Sequence, residues 1–153
     1  MGPGDISIKL LPVSPGDADE LATLRVLAMQ ESLERIGRFD EIRARARFLS
    51  SFSVESTRHI EMDGERIGFI VLTAQPDHLS LDHFYIHPDR QGVGAGSSVL
   101  KRLFSEADEI GKSIRVGALK ESDSNRFYTR HGFKFVESSE FDHYYVRRAR
   151  SDR

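Results

Sequence analysis

The run Gln91-Gly92-Val93-Gly94-Ala95-Gly96-Ser97 places a glycine at every second position, directly ahead of a segment with helical periodicity. The N–H groups of a first helical turn have no intrahelical acceptor and point outward, and glycine lets a phosphate approach them without a Cβ in the way. Residue types and position together describe an anion cradle, with a ligand-free glycine-rich turn as the plainer alternative. Two common phosphate signatures do not fit. A P-loop runs from a glycine into Gly-Lys-Ser/Thr, whereas Lys101 lies well past the loop and follows Leu100. The dinucleotide fingerprint needs a third glycine three residues after the second, and counted from Gly92 and Gly94 that position is Ser97.

Metal chemistry finds less support. His83 and His87 stand four residues apart. On a helix both could reach one ion, but here they lie on a strand-like run, where four residues span about 13 Å. His131 fits a helix end ahead of Gly132, where a cation is mildly favoured. The chain has no cysteine, which excludes disulfides, a thiol nucleophile and thiolate metal sites. No metal is expected.

The frame that must position these residues can be read in order. Ile6, Ile8 and Leu10 alternate with polar neighbours before Pro12, the pattern of a half-buried strand. Ser14, Pro15 and Asp17 supply capping chemistry for a helix with Leu21, Leu24, Leu27 and Ala28 at helical spacing, ending near Ile36-Gly37. A second helix starts at Asp40 and carries Ile42, Ala46 and Leu49 on one face, with Arg43, Arg45 and Arg47 mostly on a solvated side. Two short strands flank Asp63-Gly64, a dipeptide that accepts the positive φ of a tight hairpin, and Ile67, Phe69 and Val71 alternate after it. A strand over residues 79–86 ends at His87-Pro88-Asp89, because proline cannot donate to a ladder.

Val99, Leu100, Leu103, Phe104 and Ala107 form the stripe of a third helix that Gly111 terminates. A strand over residues 114–119 follows. Ser122 or Ser124 caps a fourth helix through Tyr128 and Arg130 to Gly132, and strands over 133–136 and 144–147 close the chain. The order β-α-α-β-β-β-α-β-α-β-β mixes hairpins with helical crossovers, so the fold class is α+β with a mixed sheet. Neither a repeat nor a linker interrupts it, and a single domain over residues 1–153 is expected.

The chain's 153 residues suffice for one core, and 39% apolar with 30% charged residues describe a globular chain. A net charge of -2 provides no global field for nucleic acid or an anionic membrane. The basic tail Arg147, Arg148, Arg150 and Arg153 reads as solvated. No apolar run approaches the roughly 20 residues of a membrane span, and a cytoplasmic location is expected.

Gln91-x-x-Gly94-x-Gly96, between a strand and a helix, resembles the acetyl-CoA pyrophosphate motif of the GNAT superfamily of N-acetyltransferases. Arg126-Phe127-Tyr128-Thr129-Arg130-His131-Gly132-Phe133 resembles that superfamily's later helix and its turn into the next strand. With the matching order of elements, the resemblance covers roughly residues 5 to 148. It implies a GNAT-like fold, a mixed central sheet flanked by helices on both faces, and transfer of an acetyl group from acetyl-CoA to an amine.

The resemblance also implies roles. The amides from Gly92 through Val93, Gly94, Ala95 and Gly96 to Ser97 would hold the CoA pyrophosphate, with Gln91 shaping the loop. Phe84, Tyr85 and Ile86 would bind the pantetheine arm and polarise the thioester carbonyl, as preorganised donors do. Tyr128 matches the family tyrosine that protonates the departing thiolate, and a phenol near pKa 10 suits that transfer. Many relatives carry an asparagine six or seven residues before the tyrosine; here Ser122 and Glu121 stand there, so Ser122 or Asn125 would face the CoA arm. Asp82 and His83 are the candidates for the general base, and strand alternation lets only one of them face the site; a water relay is the other route. Phe39, Arg43, Tyr144 and Tyr145 are candidate walls for the acceptor amine. The competing class is a non-catalytic acyl-CoA sensor of the same fold, and a homodimer through the terminal strands remains open.

Overall fold

Strands β1 (Ile8–Pro12), β2 (Thr57–Met62), β3 (Glu65–Ala74), β4 (His78–Ile86), β5 (Ser113–Leu119), β6 (Lys134–Ser138) and β7 (Asp142–Arg147) are interleaved with helices α1 (Ala18–Arg35), α2 (Glu41–Ser51), α3 (Ala95–Glu109) and α4 (Ser124–Arg130). They come from a computed structural model that describes residues 7–35 and 37–150. The strands form a seven-stranded sheet in the order β1-β2-β3-β4-β5-β7-β6. It is mixed, since β4 and β5 run parallel while β1–β2, β2–β3, β5–β7 and β6–β7 are antiparallel. The expected α+β class and order of elements hold. Ile6, assigned to the first strand, lies outside the described residues, as do Ile36 and Arg153. No described helix is long and apolar enough to cross a membrane.

The chain divides into two compact units, the first reaching to Val71 and including His83–Val99, the second comprising Leu72–Asp82 and the remainder from Leu100. In the first unit β1 pairs with β2 from Ile8↔Met62 to Pro12↔Arg58. Asp63 (φ 52°) and Gly64 (φ 84°) make the two-residue turn into β3 that their types foretell. Leu21, Ala22, Phe48 and Phe69 form the core, with the Phe48 and Phe69 rings edge to face at 5.4 Å. Such a pair adds about 0.5–1.5 kcal/mol beyond the area it buries. Asp17 closes the start of α1: its carboxylate accepts from the Ser14 N–H at 2.9 Å and from Nε2 of buried His59 at 3.0 Å. The Ser14 amide, then the His59 ring, hold this carboxyl down at about 2.

Two helix faces differ from expectation. On α1 the buried residues are Leu21, Ala22 and Val26, while Leu27 is exposed. On α2 they are Ala44 and Phe48, and Ile42, Ala46 and Leu49 face outward. The reason is the Phe48 ring, the largest apolar group on α2, which takes the inward position; Ala44 one turn earlier follows it, and Arg25 of α1 donates to the Ala44 carbonyl at 2.7 Å. Arg45 reaches Thr23 and Asp19 of α1.

In the second unit β4 pairs with β5 from His78↔Ser113 to Leu81↔Val116, and β5 pairs with β7 from Ile114↔Arg147 to Leu119↔Asp142. The stripe of α3 is buried as its spacing requires, Leu100, Leu103 and Ala107 entirely. Near its end Asp108 accepts both Arg147 nitrogens, at 2.8 and 3.1 Å, and the Arg150 N–H at 2.9 Å. The Arg147 guanidinium also lies over the Phe104 ring at 4.1 Å, so this residue belongs to the core rather than to a solvated tail. The fourth helix is preceded by Asp123, not Ser122 or Ser124, and Asp123 gives no side-chain cap. Its other end is closed by Gly132 at φ 93°, whose N–H bonds the Thr129 carbonyl while the Phe133 N–H bonds that of Tyr128. This left-handed closure needs glycine and brings the Tyr128 and Phe133 rings within 5.3 Å.

Candidate functional site

In the first unit the loop into α3 is built from its anchor outward. A short turn, Pro88–Arg90, follows β4, and Arg90 pairs with Glu65 of β3. Gln91 donates from Nε2 to the Ile86 carbonyl at 2.8 Å, tying the loop to the end of β4. Gly94 sits at φ 88°, and its carbonyl accepts the first bond of α3, from the Ser98 N–H at 3.2 Å. Gly94 is therefore the residue before the helix, in a conformation that side chains resist, and it brings no side chain to the first-turn amides. Residues 91–94 are exposed, Ala95 turns inward, and Gly96 and Ser97 are half-buried. A Cβ placed on Gly92 would meet nothing within 4 Å, and the first turn of α3 holds no acidic residue. Open space, outward amides and the positive end of a 15-residue helix fit a pyrophosphate.

Further back in this unit, Gly68 of β3 lies against β4: a Cβ there would stand 2.1 Å from the Tyr85 carbonyl oxygen. The β4 ladder with β5 stops at Leu81↔Val116, and β4 continues to Ile86. Along this stretch His83 and Tyr85 share one face, Asp82 and Phe84 the other, by strand alternation. His83 is half-buried, its ring edge-on to Phe48 of α2 at 5.4 Å and near Phe69 and Tyr85. Its Nδ1 lies 3.3 Å from the Tyr85 hydroxyl, which donates to the Met29 sulfur of α1 at 3.1 Å. Phe39 is half-buried ahead of α2, and Arg43 is exposed.

The second unit holds the remaining candidates. Asp82 is exposed, and its two carboxylate oxygens accept from Thr73 at 2.7 Å and Ser80 at 2.5 Å. Tyr128 is buried beside Phe127 and Phe133, with the Tyr145 ring 6.5 Å away. Asn125 has a task inside the unit. Its amide donates to the carbonyls of Leu119 at 2.7 Å and Ser122 at 2.9 Å, and its oxygen accepts from the Tyr145 hydroxyl at 2.7 Å. Ser122 donates to the Leu119 carbonyl. Tyr145, expected as a wall of the acceptor site, instead lies in the interior: it is only 5% exposed, and burial pushes its phenol up. Neighbours on a strand face opposite ways, so Tyr144 takes the outer side, half-buried under the Arg115 guanidinium at 4.8 Å and against Gly117. Residues the sequence reading passed over are Gly68, flagged by a glycine inside an alternating strand, and Met29, for which no local signal exists.

A family model described as an acetyltransferase (GNAT) domain matches residues 55–135, a span that contains both the glycine loop and Tyr128. Over 56 residues the chain is 32% identical to the L-amino acid N-acyltransferase MnaT of Escherichia coli, covering 37% of this chain and about a third (33%) of that protein's length. In fold it is similar to the PaiA N-acetyltransferase of Thermoplasma acidophilum in complex with coenzyme A, with a TM-score of 0.77, 18% identity, and 93% and 99% of the two chains covered. An acetyltransferase of Thermus thermophilus gives a TM-score of 0.72 at 22% identity, over 93% and 97%.

Proposed function

The chain belongs to the GNAT acetyltransferase family, and from that premise we propose that it transfers an acetyl group from acetyl-CoA to a primary amine. The observation that carries the proposal is the start of α3, where a glycine at positive φ offers first-turn amides beneath an exposed loop. The coenzyme A held by the PaiA relative supports the same ligand class.

Acetyl-CoA supplies an acetyl group already activated as a thioester. The amides of residues 92–97 bind its pyrophosphate, and Gln91 fixes the loop through the Ile86 carbonyl. The stretch Phe84 to Ile86, past the last β5 pair, serves the pantetheine arm. An alkylamine is protonated at neutral pH, with a pKa of about 10, so a base must take a proton before the nitrogen can attack. His83 is that base in preference to Asp82, because both Asp82 oxygens already accept hydroxyl hydrogens and His83 stands against α2, the helix that the family resemblance gives to the acceptor. Tyr128 donates its phenolic proton to the departing sulfur, the role the resemblance gives it, and Phe39 and Arg43 bound the acceptor.

Calorimetric titration with acetyl-CoA, native against Gly94→Glu, tests the loop, and thiol release across a panel of amines tests the chemistry. Binding that the substitution abolishes, together with thiol release for one amine, is the expected result. Binding with no turnover for any amine would make the chain an acyl-CoA-binding module, and absence of binding would overturn the proposal.

A further inference from the structure

Resting on the reading of His83 as the base, we infer that Tyr85 and Met29 are positioning residues that fix the His83 tautomer, keeping the hydrogen on Nδ1 and the lone pair on Nε2. The Tyr85 hydroxyl meets His83 Nδ1 at 3.3 Å and Met29 Sδ at 3.1 Å, and has a single hydrogen to give. A thioether sulfur can only accept. An oxygen–sulfur approach this short needs the hydrogen between the two atoms, whereas the longer nitrogen–oxygen contact does not demand the hydroxyl as its donor. With the hydroxyl hydrogen on sulfur, the Tyr85 oxygen can only accept, and the hydrogen in the other contact must come from Nδ1. A neutral imidazole with Nδ1–H has its lone pair on Nε2, the form a general base requires.

The surroundings suit such wiring. His83 is flanked by Phe48 from α2, Phe69 from β3 and Tyr85 from its own strand. The rings hold the imidazole plane, and the Tyr85 hydroxyl against Nδ1 acts on the tautomer. Tyr85 lies two residues from His83 and therefore on the same strand face, while Met29 reaches it from α1 across 56 positions of sequence. No proton is consumed or released at Tyr85 or Met29: the chain orients His83, and His83 alone exchanges a proton with the amine.

The test is nitrogen NMR of the 15N-labelled full chain, without acetyl-CoA or amine, at a pH where His83 is neutral, with His83→Asn identifying its signals. The expected result is a pyrrole-type Nδ1 and a pyridine-type Nε2. Met29→Leu keeps the volume but removes the sulfur, so the hydroxyl hydrogen turns to Nδ1 and the spectrum moves toward the Nε2–H form. Tyr85→Phe keeps the ring and leaves a mixture of the two. In thiol-release assays both variants lower kcat about tenfold, within the range general-base catalysis contributes, and Met29→Leu leaves KM changed by less than about twofold. A native Nε2–H tautomer, or a tautomer unmoved by Met29→Leu, would overturn the inference. The spectra are read without turnover, so an Nδ1–H tautomer that Met29→Leu moves would support the wiring even where no amine is acetylated, a result that would sink the transferase reading alone.

Discussion

Asp40 and Gly94 occupy the same position, one residue ahead of a helix, and treat its first-turn amides in opposite ways. Asp40 precedes α2 in extended conformation and folds its carboxylate back onto the Arg43 N–H at 3.0 Å, supplying both an acceptor and a negative charge at the positive end of the helix. Gly94 precedes α3 at φ 88° and supplies neither. The first helix start is finished by the side chain ahead of it, whereas the residue ahead of the second brings no side chain. Closed ends should therefore report on stability, and the open one on ligand affinity.

The largest effect is expected at a third helix end, where Asp108 near the close of α3 accepts the Arg147 guanidinium and the Arg150 amide. Asp108→Ala strands a buried guanidinium and costs about 3 kcal/mol in chemical denaturation, with little change in acetyl-CoA affinity. Arg147, and after it the Arg150 amide, hold the Asp108 carboxyl down at about 2. The contribution is complete above the ordinary carboxylate value of about 4 and fades as the pH falls toward 2. The gap between native and variant stabilities should close across that window, and a gap that persists at pH 2 would assign the loss to packing alone.

Gly94→Asp gives α3 the cap of α2 and strains the backbone at once. Acetyl-CoA affinity should fall about a hundredfold, or about 2.7 kcal/mol, in calorimetric titration. Retained affinity would break the comparison, since it would mean that the open end is not the binding site. Asp40→Ala makes the converse change, with a loss of about 1 kcal/mol of stability and an unaltered dissociation constant. The smallest effect belongs to Gln91→Ala, which releases the loop from the Ile86 carbonyl. Affinity should drop severalfold, about 1 kcal/mol or less for one neutral hydrogen bond, with the thermal midpoint unchanged.

What the sequence made legible was whatever local chemistry decides. Asp63-Gly64, the start of the second helix at Asp40, the stripe of α3 and the glycine loop each declare themselves within a few residues. The inward faces of α1 and α2 were harder, because apolar residues surround α2 on several sides and only tertiary contact selects Phe48 over Ile42 and Leu49. Tyr144 and Tyr145 could have been separated, since adjacent strand residues cannot both face one ligand. The engagement of Asn125 with Leu119, Ser122 and Tyr145 depends on where β7 lies beside β5, which no local pattern encodes. Met29 is further still from any sequence signal.

The brevity of α4 has a consequence in time as well as in space. Seven residues fall well short of the roughly 12–15 that an isolated helix needs to persist in water. The helix that carries Tyr128 is thus held by its neighbours, through the Phe133 ring and the bonds that close around Gly132. Such an element can open while the rest of its unit stays folded. Amide hydrogen exchange at residues 128–133 would then run faster than along β5, and the phenol would be withdrawn with every opening. Loss of order on warming would begin with these seven residues, nearly two turns of helix, before the sheet itself gives way.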